Sequence, residues 1–249
     1  MIGIKTPEEI KIMAEGGKIL ARIMKELEKQ VRPGITTREL DKAAEGLVLS
    51  WGAQCSFKGY HGYPACSCTS VNEEIVHAVP SGRILKDGDI LSLDLGVFYN
   101  GYHSDMAITL PVGKISPEVQ KLIKATKESL EIGIREAKIG STFGDIGSAI
   151  QKYVESSGFN IVRDLCGHGI GKDLHEDPEI LNYGKPGVGP KIKEGMVFCL
   201  EPMVTAGDWH IKRSKDGQGF ITDDGSLSAH FEHTIIVAKA GSQVLTKFG

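Results

Sequence analysis

Apolar residues along this chain switch between two periods. From Thr6 onward, Ile10, Met13, Ile19, Ile23 and Leu27 fall on a helical stripe. Thr6 is a good N-cap, Pro7 suits the first helical position, and Glu8 and Glu9 favour the positive end of the helix dipole. Pro33-Gly34 is predicted to end this helix. A second is predicted from Thr36-Thr37, over roughly Arg38 to Ser50, closing near Gly52. The same plan restarts at Ser116-Pro117-Glu118. A helix to about Ala137 carries Val119, Leu122, Ile123, Leu130 and Ile134 on its apolar face, and another ends at Gly158. Between the helix pairs the period shortens. Ile90 to Leu110 reads as two β-prone runs flanking Asn100-Gly101, the dipeptide a type I′ turn prefers because both its positions need φ > 0. The predicted hairpin pairs Tyr99 with Tyr102 and Gly96 with Asp105.

That register has a chemical consequence. Asp94 lies two residues from Gly96 on the face that carries Asp105, so the two carboxylates are diagonal neighbours roughly 7 Å apart at the backbone. On a half-buried sheet they repel and lose hydration, which calls for a proton or a cation between them. A solvated polar face is the bland alternative.

The chain also echoes itself. Lys86 to Asp94 (KDGDILSLD) aligns with Lys193 to Glu201 (KEGMVFCLE), 107 residues on, and Arg32 to Thr36 with Lys138 to Thr142, 106 residues on. Asp105 before MAITL matches Glu232 before HTIIV. Two copies of a helix–helix–strand unit, about 1–115 and 116–249, predict a pseudo-twofold arrangement in which Asp94, Asp105, Glu201 and Glu232 converge. Between the acidic strands lies CGHGIG (Cys166 to Gly171), then His175. These glycines fit a phosphate loop poorly, having no Gly-Lys-Ser/Thr. His168, flanked by glycines, is a candidate imidazole ligand. Four carboxylates and one imidazole suit a pair of divalent ions, manganese, iron, cobalt or zinc. Two such ions bridge a water and clamp a tetrahedral intermediate, so hydrolysis is the first reaction class to consider. Oxygen activation at di-iron sites uses Glu-x-x-His pairs on bundle helices, and the residues singled out here include none.

Composition narrows the classes. The chain has 249 residues, 41% hydrophobic and 24% charged, with net charge −3. This advertises neither nucleic acid nor an anionic membrane as partner. No run is long enough to span a bilayer, and no signal peptide is evident. Five cysteines, Cys55, Cys66, Cys68, Cys166 and Cys199, are an odd number. They predict free thiols in a reducing cytoplasm rather than a disulfide framework. Cys66-x-Cys68 lacks zinc-knuckle spacing.

Six ordered motifs carry a resemblance: GYHGYP (Gly59 to Pro64), VNEEIVHAVP (Val71 to Pro80), LSLDLG with GYHSD, CGHGIG followed by His175, LEPM (Leu200 to Met203) and SAHFEHTI (Ser228 to Ile235). Over essentially its whole length the chain resembles the type I methionine aminopeptidases. The resemblance implies an α+β pita-bread fold, a single domain over 1–249 with curved antiparallel sheets about a pseudo-twofold axis. It implies two divalent ions (Co, Mn, Fe or Zn) on Asp94, Asp105, His168, Glu201 and Glu232, with Asp105 and Glu232 bridging. Glu201 is also implied as proton shuttle, His175 as partner of the scissile carbonyl or its oxyanion, and His77 as holder of the leaving amide. The implied methionine pocket involves Tyr60, Tyr63 and Cys68. Phe57, Leu174 and Gln218 depart from the family pattern of Cys, Phe and Trp there, and Trp209 is a candidate replacement for the missing Trp.

Prolidases and proline-specific aminopeptidases usually carry a large domain before the first catalytic His, and His77 comes too early for one. Type II enzymes insert a helical subdomain between the last two acidic ligands, and the short span from Glu201 to Glu232 leaves no room for it. The implied activity is removal of the initiator methionine when the second residue is small. It would act on nascent polypeptide N-termini near the ribosomal tunnel exit, in the cytoplasm, as a monomer. Ile2 is large, so Met1 should be retained. The reading from a different class is a non-catalytic binding protein on the same fold.

Overall fold

A hydroxyl residue caps each of the four long helices. Thr6, Thr36, Ser116 and Thr142 accept the backbone N–H three residues on with their side-chain oxygens. They open α1 (Pro7–Glu28), α2 (Thr37–Ser50), α3 (Pro117–Glu136) and α4 (Phe143–Ser156). At Thr6, Thr36 and Thr142 the acid three residues on returns the bond as a capping box. The sequence places the end of α1 at Pro33-Gly34, but the helix stops at Glu28. Pro33 disfavours helical geometry at Arg32, and turns at Gln30 and Val31 unwind the chain before it. This computed structural model describes residues 2–247, so Met1 lies outside the described residues.

The strands follow in chain order as β1 (Gln54–Cys55), β2 (Ser67–Val71), β3 (Glu74–Val76), β4 (Ile90–Tyr99), β5 (Tyr102–Pro111), β6 (Asn160–Ile161), β7 (Cys166–Gly169), β8 (Glu176–Leu181), β9 (Val197–Leu200), β10 (Met203–Thr205), β11 (Ile211–Arg213), β12 (Phe220–Thr222), β13 (Ser228–His230), β14 (Glu232–Ala238) and β15 (Gly241–Val244). Nine of them form one antiparallel sheet in the order β1-β4-β5-β14-β9-β7-β8, with β2 also on β4 and β15 on β14. Each half of the chain contributes, and the seam is the pairing of β5 with β14. Two three-stranded sheets, β13-β10-β6 and β11-β12-β3, flank it.

The sequence echo is a structural one. Gly34 N–H donates to Leu85 O and Leu85 N–H to Ile35 O. In the second half Gly140 N–H donates to Ile192 O and Ile192 N–H to Ser141 O. Isolated bridges Thr36–Ile84 and Thr142–Lys191 complete the match. Each half buries its helices on its own strands. Ile19, Ile23 and Leu27 of α1 meet Leu91, Leu93, Leu95 and Val97 of β4 in one core cluster. Leu122 and Leu130 of α3, with Ile146 and Ile150 of α4, meet Phe198, Leu200, Ile235 and Val237 in another. Fully burying each such side chain is worth about 1.5–3 kcal/mol. Because a strand alternates faces, committing the odd-numbered positions of β4 to this core turns Ser92, Asp94 and Gly96 to the opposite face. The core therefore decides which way the acids point.

The cysteines overturn one expectation. Cys55 and Cys66 form a disulfide, while Cys68, Cys166 and Cys199 are free. Cysteine count and apparent compartment say nothing about proximity, and here topology supplies it. β1 and β2 both run along β4, with Cys55 opposite Val97 and Ser67 opposite Leu95. The segment between them leaves and returns to the same edge, bringing the two Cα atoms to 5.1 Å. Denatured protein should titrate three thiols without reductant and five with it; five in both cases would refute the link. By the loop-closure estimate for 11 residues, the crosslink contributes about 3 kcal/mol. The Cys55→Ser/Cys66→Ser variant should therefore melt roughly 5–10 °C lower.

Candidate metal centre and substrate pocket

Three neighbouring strands set out the first acids. Asn100 (φ 49°) and Gly101 (φ 89°) form the β4–β5 turn. The ladder pairs Tyr99 with Tyr102, Gly96 with Asp105 and Asp94 with Ala107. Ala107 in turn faces Glu232 on β14. Asp94, Ala107 and Glu232 thus lie in one row on one face, with Asp105 two residues along. Glu201 follows directly after β9, whose Leu200 faces His233. His168 projects from β7. Oxygen atoms of Asp94, Asp105 and Glu232 lie within 4.8 Å of one another. The same spacing holds for Glu201, His230 and Glu232, and for His168, Cys199 and Glu232.

The glycines around His168 have a role the sequence reading missed. A Cβ at Gly167 would stand 2.4 Å from the Cys199 carbonyl oxygen, and one at Gly169 2.1 Å from that of Asp177. They let β7 pass between backbones, which holds His168 beside the acids. Gly96 acts similarly. A Cβ there would meet the Ser56 Cβ at 2.7 Å and the Phe57 ring at 2.9 Å, so the absent side chain admits Phe57.

This arrangement is electrostatically incomplete. Burial and the charges of Asp105 and Glu201 push Asp94 well above the usual carboxylate range. Burial carries Asp105 up to about 7, against the N–H that Met106 donates to it. Burial and Asp105 also raise Glu201 and Glu232. Asp94 Oδ1 and Glu232 Oε1 are buried with no hydrogen-bond partner. His168 Nδ1 lies 2.9 Å from the Gly169 carbonyl, which can only accept. Nδ1 therefore carries the proton, and burial lowers this imidazole to about 3 and keeps it neutral. Its bare Nε2 faces Glu201 Oε1 at 3.5 Å and Glu232 Oε1 at 3.9 Å. Lone pairs facing lone pairs in a buried space fit divalent cations, and the donor set is that of a mixed oxygen–nitrogen site.

Beside these groups opens a cavity of about 630 Å³. Phe57, Tyr63, Cys68 and Leu174 form an apolar wall with Tyr60 partly buried against it. Tyr63 O–H is shared between the carbonyls of Ser67 (3.1 Å) and Ala78 (3.0 Å), tying the loop to the segment after His77. His77 has φ 60°, a conformation uncommon outside glycine. It lines the cavity beside Phe220, and burial lowers it to about 4. His175 packs edge-on against His168, centroids 4.3 Å apart, and its Nδ1 lies 2.9 Å from the Tyr60 hydroxyl. When that hydroxyl donates, Nε2 of His175 holds the proton. Tyr60, read from sequence only as pocket wall, thus also orients His175.

Each site residue singled out in the sequence lines this one cavity: Asp94, Asp105, His168, Glu201 and Glu232, His77 and His175, and Phe57, Tyr60, Tyr63, Cys68 and Leu174. Gln218 lines it too, but Trp209 does not. Trp209 stacks on His210, with Arg163 over its ring, so it does not replace a pocket tryptophan. Sequence reading passed over His230, buried between the acids, although it stands in the quoted SAHFEHTI motif. An imidazole two residues before an acidic candidate was the available signal.

Comparison with known proteins agrees with this geometry. A family model described as Metallopeptidase family M24 matches residues 11–239. Methionine aminopeptidase 1 of Bacillus subtilis (strain 168) is 51% identical over 247 residues, covering 99% of this chain and 100% of its own. Methionine aminopeptidase of Escherichia coli (strain K12) is 42% identical, covering 98% and 94%. A crystal structure of methionine aminopeptidase from Thermotoga maritima matches with TM-score 0.98 at 43% identity, each chain covered in full. A prolidase from Pyrococcus furiosus matches with TM-score 0.80 at 25% identity, over 99% of this chain but 66% of the prolidase.

The raised carboxyls make a pH prediction. An acid whose folded pKa is raised keeps its proton above the usual carboxylate range, so these groups favour the ion-free fold at low pH and disfavour it as pH rises. His168, lowered, works the other way, favouring the fold above its ordinary range and opposing it as pH falls. A cation must displace the carboxyl protons. Mn²⁺ binding at pH 7 should release protons and weaken as pH falls from 8 to 6. Calorimetry in buffers of different ionisation enthalpy checks this; a buffer-independent enthalpy would rule it out.

Proposed function

Because the chain belongs to metallopeptidase family M24, we propose that this site hydrolyses the first peptide bond of polypeptides beginning with methionine. Its curled antiparallel sheet is the pita-bread architecture of the solved structures it matches. The observation that carries the proposal is the set of buried, partnerless donors from both halves of the chain opening directly onto an apolar pocket.

Asp94, Asp105, His168, Glu201 and Glu232 are the residues we assign to two divalent ions, cobalt, manganese, iron or zinc. Glu232 belongs to all three donor clusters, and it and Asp105 would be the ligands shared by both ions, as the resemblance implies. Ions bound there supply Lewis acidity and lower the pKa of a water towards neutrality. The remaining work falls to the chain. Phe57, Tyr63, Cys68 and Leu174 take up the methionine side chain. Glu201, whose pKa burial raises, accepts the proton of the attacking water and returns it to the leaving amine. His175, held through Nδ1 by Tyr60, directs Nε2–H at the developing oxyanion. His77 holds the amide of the second residue.

On this reading, as the resemblance implies, the substrates are nascent polypeptide N-termini with a small second residue, met near the ribosomal tunnel exit in the cytoplasm. No helix among the described residues is long and apolar enough to cross a membrane. All the proposed ligands come from one chain, and the proposed form is a monomer. A binding protein without catalysis would have no use for a complete ligand set flanked by two histidines.

Purified protein loaded with Mn²⁺, Co²⁺, Fe²⁺ or Zn²⁺ should release methionine from Met-Ala-Ser and little from Met-Leu-Ser, and chelation should abolish release. No release with any ion, on protein shown to bind two, would overturn the proposal in favour of the binding protein. His175→Ala should lower kcat by about 10²–10³, read by steady-state kinetics on Met-Ala-Ser. Gln218→Trp, altering the pocket wall, should change KM more than kcat; a large fall in kcat at unchanged KM would contradict its placement.

A further inference from the structure

His230 is the one histidine beside the acids to which neither the ion assignment nor the catalytic roles give a task. It is 1% exposed, and neither ring nitrogen has a hydrogen-bond partner. A neutral imidazole has one donor and one acceptor, and here both are buried and orphaned. Burial, reinforced by His77, keeps it neutral, with a pKa lowered to about 3. The groups it faces are His77, Glu201 and Glu232.

The backbone around it is fixed. His230 N–H donates to Thr109 Oγ1 at 2.8 Å, and that hydroxyl donates back to His230 O at 2.8 Å. The Ser92 hydroxyl, 2.8 Å from Thr109 Oγ1, must then be the donor in their bond. Across β10, His230 pairs with Met203. With the backbone so held, the ring Nε2 stands 3.8 Å from Glu201 Oε2. The other oxygen of the same carboxylate, Oε1, faces the bare Nε2 of His168 at 3.5 Å. The two imidazoles differ in what they can offer. His168 cannot donate from Nε2, because its proton is on Nδ1. His230 has no such constraint and can carry its proton on Nε2. The 3.8 Å gap exceeds a hydrogen bond by about 1 Å, and the terminal torsion of a glutamate is soft enough to close it.

We propose that His230 is a positioning residue, donating Nε2–H to Oε2 of Glu201 and so holding that carboxylate with Oε1 turned towards His168. This rests on the metallo-aminopeptidase reading of the site. His230 touches no substrate in this scheme and acts through Glu201. It fixes which oxygen is offered to an ion and keeps the proton-shuttling carboxylate from turning between two orientations. Partners of this kind to ligating groups are worth about 10–100-fold in metal affinity or activity.

The test uses the full chain with His230→Leu, which keeps bulk without nitrogen, and His230→Gln, which restores an N–H donor at similar reach. For each, kcat and KM on Met-Ala-Ser, Mn²⁺ affinity by calorimetry and the melting temperature of ion-free protein are measured. His230→Leu should lose about 10–100-fold in kcat with KM within about twofold, and bind Mn²⁺ more weakly. Its ion-free melting temperature should not fall, because two orphaned polar atoms have been removed. His230→Gln should stay within a few-fold of the parent in kcat and Mn²⁺ affinity. The proposal is overturned if the Leu variant matches the parent in kcat and affinity, if Gln is as impaired as Leu, or if the losses follow a lowered ion-free melting temperature. Failure of the underlying reading shows separately, as a parent protein that binds ions yet releases no methionine.

Discussion

Asp94, Asp105, Glu201 and Glu232 bring four acids into one buried volume, where each raises the cost of charge on another. Much of the molecule reads as the scaffolding that tolerates this. Two separate hydrophobic cores, each beneath its own helix pair, hold the strands from behind. The acids sit at the seam where the halves share one sheet, so neither half contains a complete donor set. Burial raises the carboxyl pKa values and lowers those of the nearby histidines, leaving protons or cations as the available means of neutrality. Four buried acids, with Asp94 Oδ1 and Glu232 Oε1 left without a hydrogen-bond partner, are what the proposed cation site would require.

The sequence carries most of that frame because its signals are local. Capping residues, a two-residue turn and a period-two run need only a few neighbours to be read, and so the register that pairs Gly96 with Asp105 was legible. The internal echo extended that local reading across the chain: once Asp94 matched Glu201, convergence of the acids followed from symmetry. What escaped were contacts decided by topology. Cys55 and Cys66 are joined because two strands share one edge of a third. Gly167 and Gly169 are small because two other backbones pass beside them. Tyr60 reaches His175 across 115 positions of sequence. His230 was visible as a residue, but its lack of any partner is a property of three-dimensional burial.

The pocket shows the same division. Phe57 and Leu174 occupy its apolar wall, while Gln218 brings an amide to its lining. Sequence identifies these as departures from the family pattern. Structure adds that Phe57 is accommodated by the absent side chain of Gly96 and that Trp209 is engaged elsewhere, with His210 and Arg163. The wall therefore departs from the family pattern at Phe57, Leu174 and Gln218, with the acid cluster beside it left in place.

The Cys55–Cys66 link closes the segment that supplies Phe57, Tyr60 and Tyr63 to that wall. A recognition loop that becomes ordered only when its ligand arrives subtracts the entropy of ordering from affinity. Here the crosslink removes part of that freedom during folding, before any peptide terminus is encountered. The covalent bond is no part of the acid cluster, yet on the proposed reading it makes the receptor for the methionine side chain closer to a fixed mould than to a closing hand. Discrimination between side chains then rests on shape already present in the empty pocket.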